Sequence, residues 1–464
     1  MNFWKFKIDT FNIWLYIGII VVIFLLSNIL RRKVKFIRNS LLPTAIIAGI
    51  VILVLKSVGA FNFIFSKEDI GDLNILMESI TYHTLGLGVI ALALKSDDRV
   101  KSKDSNRDIL NAGLITVNTY LIQAIFGVLI VLLLGFTFVK GLFPASGLLL
   151  PLGFGQGSGQ ALNFGSMFEE TYGFTGGASF GLMIATIGFL VACIIGVIHI
   201  NVMRKRGVIK INEPSLFESK EIIASPNEVP STDAVDRMSI QIGLILFVYF
   251  ITFLVMYGVE MLPIGNFGTN TVKPLVWGFN FLIGSLLAVL LKVIIKKLRK
   301  TDLMTRDYPN NYLLNRISGF MFDLMIITGT AAINIEVLKE LIIPLIILGL
   351  VGALVTYFYV KKTSYKMFPN YKEEAFVSMF GLLTGTTSTG MILLREVDSK
   401  FETPAANNLI YQSFYAIAFG FPLFLLLGIA PKGLNFTLIS LGIILVMFVA
   451  LNIVLYRKEI FNKK

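Results

Sequence analysis

Apolar runs long enough to cross a bilayer recur along the chain, and no other feature restricts its fold so severely. A spanning helix needs about 20 mainly apolar residues. Runs of that order lie near 11–30, 41–58, 78–95, 109–138 and 176–203, then near 238–260, 274–295, 314–336, 340–361, 405–429 and 434–456. Of the 464 residues 55% are hydrophobic and 15% charged, against about 25% charged in soluble domains. A water-soluble fold is excluded, and the chain reads as an all-α polytopic membrane protein.

The charges orient these runs. Arg31, Arg32, Lys33, Lys35 and Arg38 follow the first run and outnumber Lys5 and Lys7 before it. Basic residues collect in cytoplasmic loops, so the N-terminus is expected outside and residues 31–40 inside. No small-residue cleavage site follows the run, which reads as a retained helix. The second run leads outward to a loop with Glu68, Asp69 and Asp72; the third returns to Lys95, Arg99, Lys101, Lys103 and Arg107. The net charge of +12 belongs to such loops and gives no reason to expect a nucleic-acid partner. Cys193 stands alone in an apolar run, so no disulfide framework or thiolate cluster is expected.

Two stretches interrupt this pattern. "LGFGQGSGQALNFG" (Leu152 to Gly165) is rich in glycine and amides, and "GLLTGTTSTGM" (Gly381 to Met391) in glycine and hydroxyls. If residues 145–170 crossed the membrane, the basic "RKRG" at 204–207 would fall outside. If they enter and leave on one face, every basic cluster stays inside. The same reasoning makes 373–397 re-entrant from the cytoplasm and puts the C-terminus inside. Each half then has four helices, a broken re-entrant segment and a fifth helix. Five crossings are odd, so the halves are inverted: an N-terminal repeat 1–203, a cytoplasmic linker 204–237, a C-terminal repeat 238–429, and an extra helix and tail 430–464.

Inverted repeats with interrupted segments in matching places point to a secondary transporter. Broken backbone inside a bilayer must find partners in protein, water or ligand. Free N–H groups at a half-helix start suit a carboxylate, and free carbonyls at a half-helix end suit Na⁺. Substrate contacts are therefore expected from Gly157, Ser158, Gly159, Gln160 and Asn163 in the first stretch and Gly385, Thr386 and Thr387 in the second. Thr384, Ser388 and Thr389 offer hard oxygens for Na⁺ without a buried charge. Close helix packing through Gly155/Gly159 and Gly381/Gly385 is the competing reading, but it leaves the amides and hydroxyls unexplained.

The two stretches resemble the motifs of the bacterial sodium/glutamate symporter family. The family's G-H-G-T-A-A-A-W-G with a following Y-G-F corresponds to "GSGQALNFG" (157–165) and "MFEETYGF" (167–174), and its G-A-T-P-T-A to "GTTSTG" (385–390). The resemblance covers nearly the whole chain. It implies Na⁺-coupled uptake of glutamate across the cytoplasmic membrane, two re-entrant loops and a homodimer, with no other cofactor. Ser158 stands where the motif has His, Gln160 where it has Thr and Ser388 where it has Pro, and the run at 434–456 is additional. Another amino acid or dicarboxylate, or H⁺ as the coupling ion, stays open at this point.

Single residues add candidates. Asp323 is the acid deepest in an expected helix, and intramembrane acids are costly and usually functional; it is a candidate Na⁺ ligand or proton carrier. His83 aligns with it in the third run. Asn118, Gln123 and Asn334 read as interhelical hydrogen bonders, and Arg395 and Glu396 as a solvated cytoplasmic face. An intramembrane protease built on Ser158 and His199 is disfavoured because Gln156 breaks the G-x-S-G pattern. A channel is the nearer rival, since re-entrant loops also form filters, but two unequal inverted loops suit alternating access.

Overall fold

The computed structural model describes residues 3–4, 8–63, 65–95, 103–209, 234–301, 309–399 and 401–457. The linker expected at 204–237 lies largely outside the described residues, as do Arg99, Lys101 and the tail beyond 457. Among the described residues the secondary structure is helical throughout.

The first half runs α1 (Thr10–Lys33), the short α2 (Lys35–Asn39), α3 (Thr44–Ser57), α4 (Lys67–Ala93), α5 (Lys103–Thr137), the half-helices α6 (Leu149–Gln156) and α7 (Ser158–Tyr172), and α8 (Gly177–Lys205). The second runs α9 (Ala234–Met261), a single turn α10 (Gly265–Phe267), α11 (Lys273–Gly278), α12 (Asn280–Lys300), α13 (Asn311–Ala332), α14 (Ile342–Met367), the half-helices α15 (Lys372–Thr384) and α16 (Thr387–Arg395), α17 (Ala405–Tyr411) and α18 (Ser413–Leu426). A last helix, α19 (Leu434–Leu455), packs on α5.

Eight helical stretches among the described residues are long and apolar enough to cross a membrane, so the chain is a multi-pass membrane protein. Three expected crossings, α3, α12 and α13, fall outside that set. α3 has only 14 residues, α12 ends in Lys296, Lys297, Arg299 and Lys300, and α13 carries Arg316 and Asp323.

Several boundaries differ from expectation for local reasons. α4 starts at Lys67, so Glu68, Asp69 and Asp72 lie within a helix rather than a loop. Ser66 accepts from the Asp69 N–H while Asp69 accepts from the Ser66 N–H, a capping box that starts the helix early. Asn334 falls beyond the end of α13, where its backbone N–H donates to Ser179 Oγ at 3.0 Å. The expected helix at 405–429 breaks at Gln412, and the one at 274–295 at Phe279. Between α16 and α17 the Asp398 carboxylate accepts from the Glu402 and Thr403 N–H groups at 2.9 Å each and from the Thr403 hydroxyl at 2.6 Å. Burial pushes this carboxyl up, but those hydrogen bonds outweigh it and hold it below the ordinary carboxylate range. Its contribution is therefore present above the unfolded carboxylate pKa and lost as pH falls through the lower folded value. Asp398→Ala should cost about 2 kcal/mol, read as a lowered unfolding temperature at neutral pH that converges with the parent protein in acid.

Two groups of helices emerge. α4 and α13 cross at the centre of one, with the Thr81 and Thr328 hydroxyls 2.8 Å apart; α3 packs on α13, α12 on α4, α1 on α3 and α9 on α12. In the other, α5 crosses α14 and both hold the half-helices, with α8 and α18 alongside. Lipid gives apolar helices no reason to associate, so close approach at small residues does the work. A Cβ on Gly127 would overlap Gly147 O, and one on Gly165 would overlap Gly177 O.

Candidate translocation site

The half-helices are too short to cross alone. The longest, α7 with 15 residues, rises about 22 Å against roughly 30 Å of hydrocarbon.

α8 serves as a ruler for their course. Gly177 abuts Gly165 and Gly181 abuts Ala161, so α7 runs antiparallel to α8. Gly153 abuts Ile184, and Gly188 abuts Phe154, so α6 runs the other way and the pair forms a hairpin. From the opposite end of α8, Arg204 bonds Glu396 (3.0 Å), His199 meets Glu373 (3.1 Å) and Gly196 abuts Leu393. α15 and α16 form the second hairpin, with Gly381 against Gly390. Its tip reaches Gly188 as well, where a Cβ would lie 2.6 Å from Thr384 O. The two hairpins therefore meet tip to tip part-way along α8.

At the first tip Gly157 has φ +84° and ψ −173°, a conformation almost reserved for glycine. A Cβ there would be 3.5 Å from Thr386 Cγ2 and 3.7 Å from Gly385 O on the second tip. The first bond of the α7 ladder runs from Ala161 N–H to Gly157 O, and that of α16 from Gly390 N–H to Thr386 O. The N–H groups of Ser158, Gly159 and Gln160 thus precede one ladder and those of Thr387 and Ser388 the other. Two positive helix ends converge on the gap between the tips.

The C-terminal ends of α6 and α15 meet there too, and α5 holds them. Tyr120 donates to Gly155 O at 3.1 Å, and Gln123 Nε2 donates to Leu383 O at 3.1 Å and to Thr356 Oγ1 at 2.8 Å. Gln123 does make the interhelical bond the sequence suggested; Tyr120 carried no signal beyond the polar spacing of "NTYLIQ" (118–123), and Thr356 of α14 carried none. Several buried polar atoms around the tips lack a protein partner: Gln156 Nε2, Ser158 Oγ, Gln160 Oε1, Asn163 Oδ1 and Gln123 Oε1. Buried polar atoms are seldom left unpaired, so water, ion or substrate is the natural occupant.

The expected site residues divide. Gly157, Ser158, Gly385 and Thr386 come together at the tips, with Thr387 at the start of α16. Gly159 is tight against Leu85 and Met325, a scaffold contact no motif announced, and Asn163 turns to the scaffold, donating to Gly278 O. Of the cation candidates, Thr389 Oγ1 lies 3.4 Å from Thr386 Oγ1, and Thr384 donates to Phe380 O at 2.7 Å, which leaves its lone pairs free. Ser388 is exposed. Asp323 is not brought to the tips. At about 100° per residue it shares a face of α13 with Ile327 and Thr330, which meet Gly49 of α3, while Met325 and Gly329 face the first hairpin. Its charged neighbour is Arg31. His83 bonds the Tyr249 hydroxyl and Phe3 O, and His199 bonds Tyr357 and Glu373, so neither accompanies Ser158.

The hairpins are unequally covered. α7 packs under α4, α13 and α11, and residues 157–168 are all buried. α16 packs on α15, α17 and α8 and leaves a face open along Ser388, Met391, Ile392 and Arg395.

Residues 9–403 match the sodium/glutamate symporter family. The chain belongs to that family. No curated protein matches it significantly. The family is one of transporters that couple glutamate to Na⁺, which accords with Na⁺ as coupling ion and with a lipid-embedded chain.

Proposed function

We propose that this chain moves glutamate into the cell with Na⁺ by alternating access, and that both are held between the two hairpin tips. What supports this reading is the convergence at one gap of two half-helix N-termini, two half-helix C-termini and a set of unpartnered buried polar atoms. The N–H groups opening α7 and α16 meet the substrate's carboxylates. The hydroxyls of Thr384, Thr386 and Thr389 and the carbonyls around Gly385 hold Na⁺. Such oxygens replace a hydration shell without the cost of a buried acid, and no group of three His, Cys, Asp or Glu gathers among the described residues. Asp323, beside Arg31 on the α3 side of α13, is not among these ion ligands.

The hairpins enter from opposite membrane faces, as the basic clusters require. Matched lysines support an inverted repeat. Lys56, the thirteenth residue of α3, donates to Ala331 O near the end of α13, and Lys292, the thirteenth of α12, donates to Lys95 O just beyond α4. Each neutralises the negative end of the other half's central helix. In this state the site opens along α16, on the face bearing Arg395, and closes over α7. With the N-terminus outside, that open face is cytoplasmic. The protein works as a homodimer, as its family resemblance implies.

The test is uptake of labelled L-glutamate into proteoliposomes with and without an inward Na⁺ gradient. Ser158→Ala should raise the KM for glutamate about tenfold and Thr386→Ala the half-saturating Na⁺ by a similar factor, both with normal membrane insertion. Unchanged glutamate and Na⁺ dependence in both variants would refute the assignment.

A further inference from the structure

The kink between α11 and α12 is gripped from two sides. On the scaffold side, the Tyr82 hydroxyl donates to Trp277 O at 2.8 Å and Asn280 Nδ2 donates to Tyr82 O at 3.3 Å. Trp277 is fixed in turn by donating from Nε1 to Glu260 Oε2 at 3.2 Å. Behind Tyr82 sit the first described residues of the chain. Trp4 Nε1 donates to the Tyr82 hydroxyl at 3.4 Å, and its ring lies among those of Tyr82, His83, Tyr249, Phe253 and Trp277. The Phe3 ring packs on Tyr82 with centroids 4.8 Å apart. Phe3 O can only accept, so His83 Nε2 donates to it (2.9 Å) and Nδ1 accepts from the Tyr249 hydroxyl (2.7 Å). On the other side, Asn163 of α7 donates to Gly278 O at 3.0 Å and approaches Asn280 Oδ1 at 3.5 Å.

We infer that Phe3 and Trp4 form a fixed wedge which, through Tyr82, holds the 277–280 kink as a ledge for α7, and that the Asn163–Gly278 bond is the latch that parts when the first hairpin opens toward its own face. A helix break frees carbonyls. Here the scaffold takes one, Trp277 O, and the hairpin takes the next, Gly278 O. Without the Tyr82 bond the kink can turn, and Gly278 O no longer faces Asn163. The latch uses only the amide N–H of Asn163; its Oδ1 stays buried without a protein partner. Tyr82, Trp4 and Asn280 are positioning residues, since none of them lies at the tips. The inference rests on the reading that the hairpins carry the site.

The test uses the full chain with Cys193→Ser as background and Ser166→Cys as reporter, Ser166 being a buried residue of α7 one turn from Asn163 whose hydroxyl has no partner. A membrane-impermeant maleimide is applied to either face of oriented vesicles without solute. Tyr82→Phe, which keeps the ring, should speed labelling from the face of the first hairpin about five- to tenfold, and Asn163→Ala at least as much. Trp4→Ala should act in the same direction. A role in stability alone would instead lower the unfolding temperature and raise labelling from both faces. Unchanged labelling in Asn163→Ala overturns the latch, and unchanged labelling in Tyr82→Phe overturns the wedge. Because no transported solute is needed, absence of glutamate uptake in the parent protein would count against the proposed function and leave this result readable.

Discussion

Gly157→Ala is expected to cut Na⁺-driven glutamate uptake by about 100-fold or more while the protein still inserts and purifies. The conformation at Gly157, φ +84° with ψ −173°, costs an L-residue roughly 1–3 kcal/mol. Space is not the obstacle, since an added Cβ would make ordinary contacts at 3.5 Å and 3.7 Å with Thr386 and Gly385. The chain must either keep the strained turn or rotate it. Rotation swings the N–H groups of Ser158 and Gly159 away from the gap, and a displacement of about 1 Å in a positioned site costs about 100-fold. If the strain is borne instead, the methyl group occupies the place of substrate between the tips. Both routes lower kcat/KM with little change in thermal stability. Uptake within twofold of the parent, at equal protein in the vesicles, would show that the tips do not enclose the site.

What the sequence disclosed and what it hid follow one physical line. The helix breaks at the two tips were legible because glycine and hydroxyls stand where lipid demands apolar helix; the face to which each segment returns is an expectation drawn from the basic loops. The meeting of the tips followed only as an expectation, from the requirement that broken backbone find partners. Helix phase was the missing quantity for Asp323. Depth along α13 could be counted from sequence, but its side, toward Arg31 and α3, depends on how α13 is rolled against α4 through Thr81 and Thr328. The early start of α4 was written in "SKED" (66–69), a capping box that resembles a charged loop when only charge is counted. The break at Gln412 has no proline or glycine beside it. The docking of Phe3 and Trp4 joins residues about 80 and 270 positions apart, and nothing in an aromatic pair at the start of a chain points to that.

Gly188→Ala should have a comparable effect by a different route, and it separates packing at the tips from chemistry there. Gly188 is the point on α8 where both hairpins arrive: a Cβ would stand 2.6 Å from Thr384 O, 3.2 Å from Phe154 Cδ2 and 3.3 Å from Phe154 Cα. The first contact is with backbone at the end of α15 and cannot be relieved by a side-chain rotation, so the second tip must move away from α8. That displaces Thr384 and Gly385, the proposed cation oxygens, while the first hairpin, met at 3.2 Å and 3.3 Å through Phe154 and held to α5 through Tyr120, gives by only a few tenths of an ångström. Na⁺ should therefore suffer before glutamate. The half-saturating Na⁺ concentration is expected to rise by at least about tenfold, and maximal uptake to fall by about 100-fold. Gly18→Ala is the control: Gly18 lies in α1 with nothing within 4 Å of an added Cβ, and alanine there should leave both quantities unchanged. A Gly188→Ala protein that loses glutamate affinity but keeps its Na⁺ dependence would place the cation away from the second tip, and the oxygens around Gly385 would then belong to the substrate.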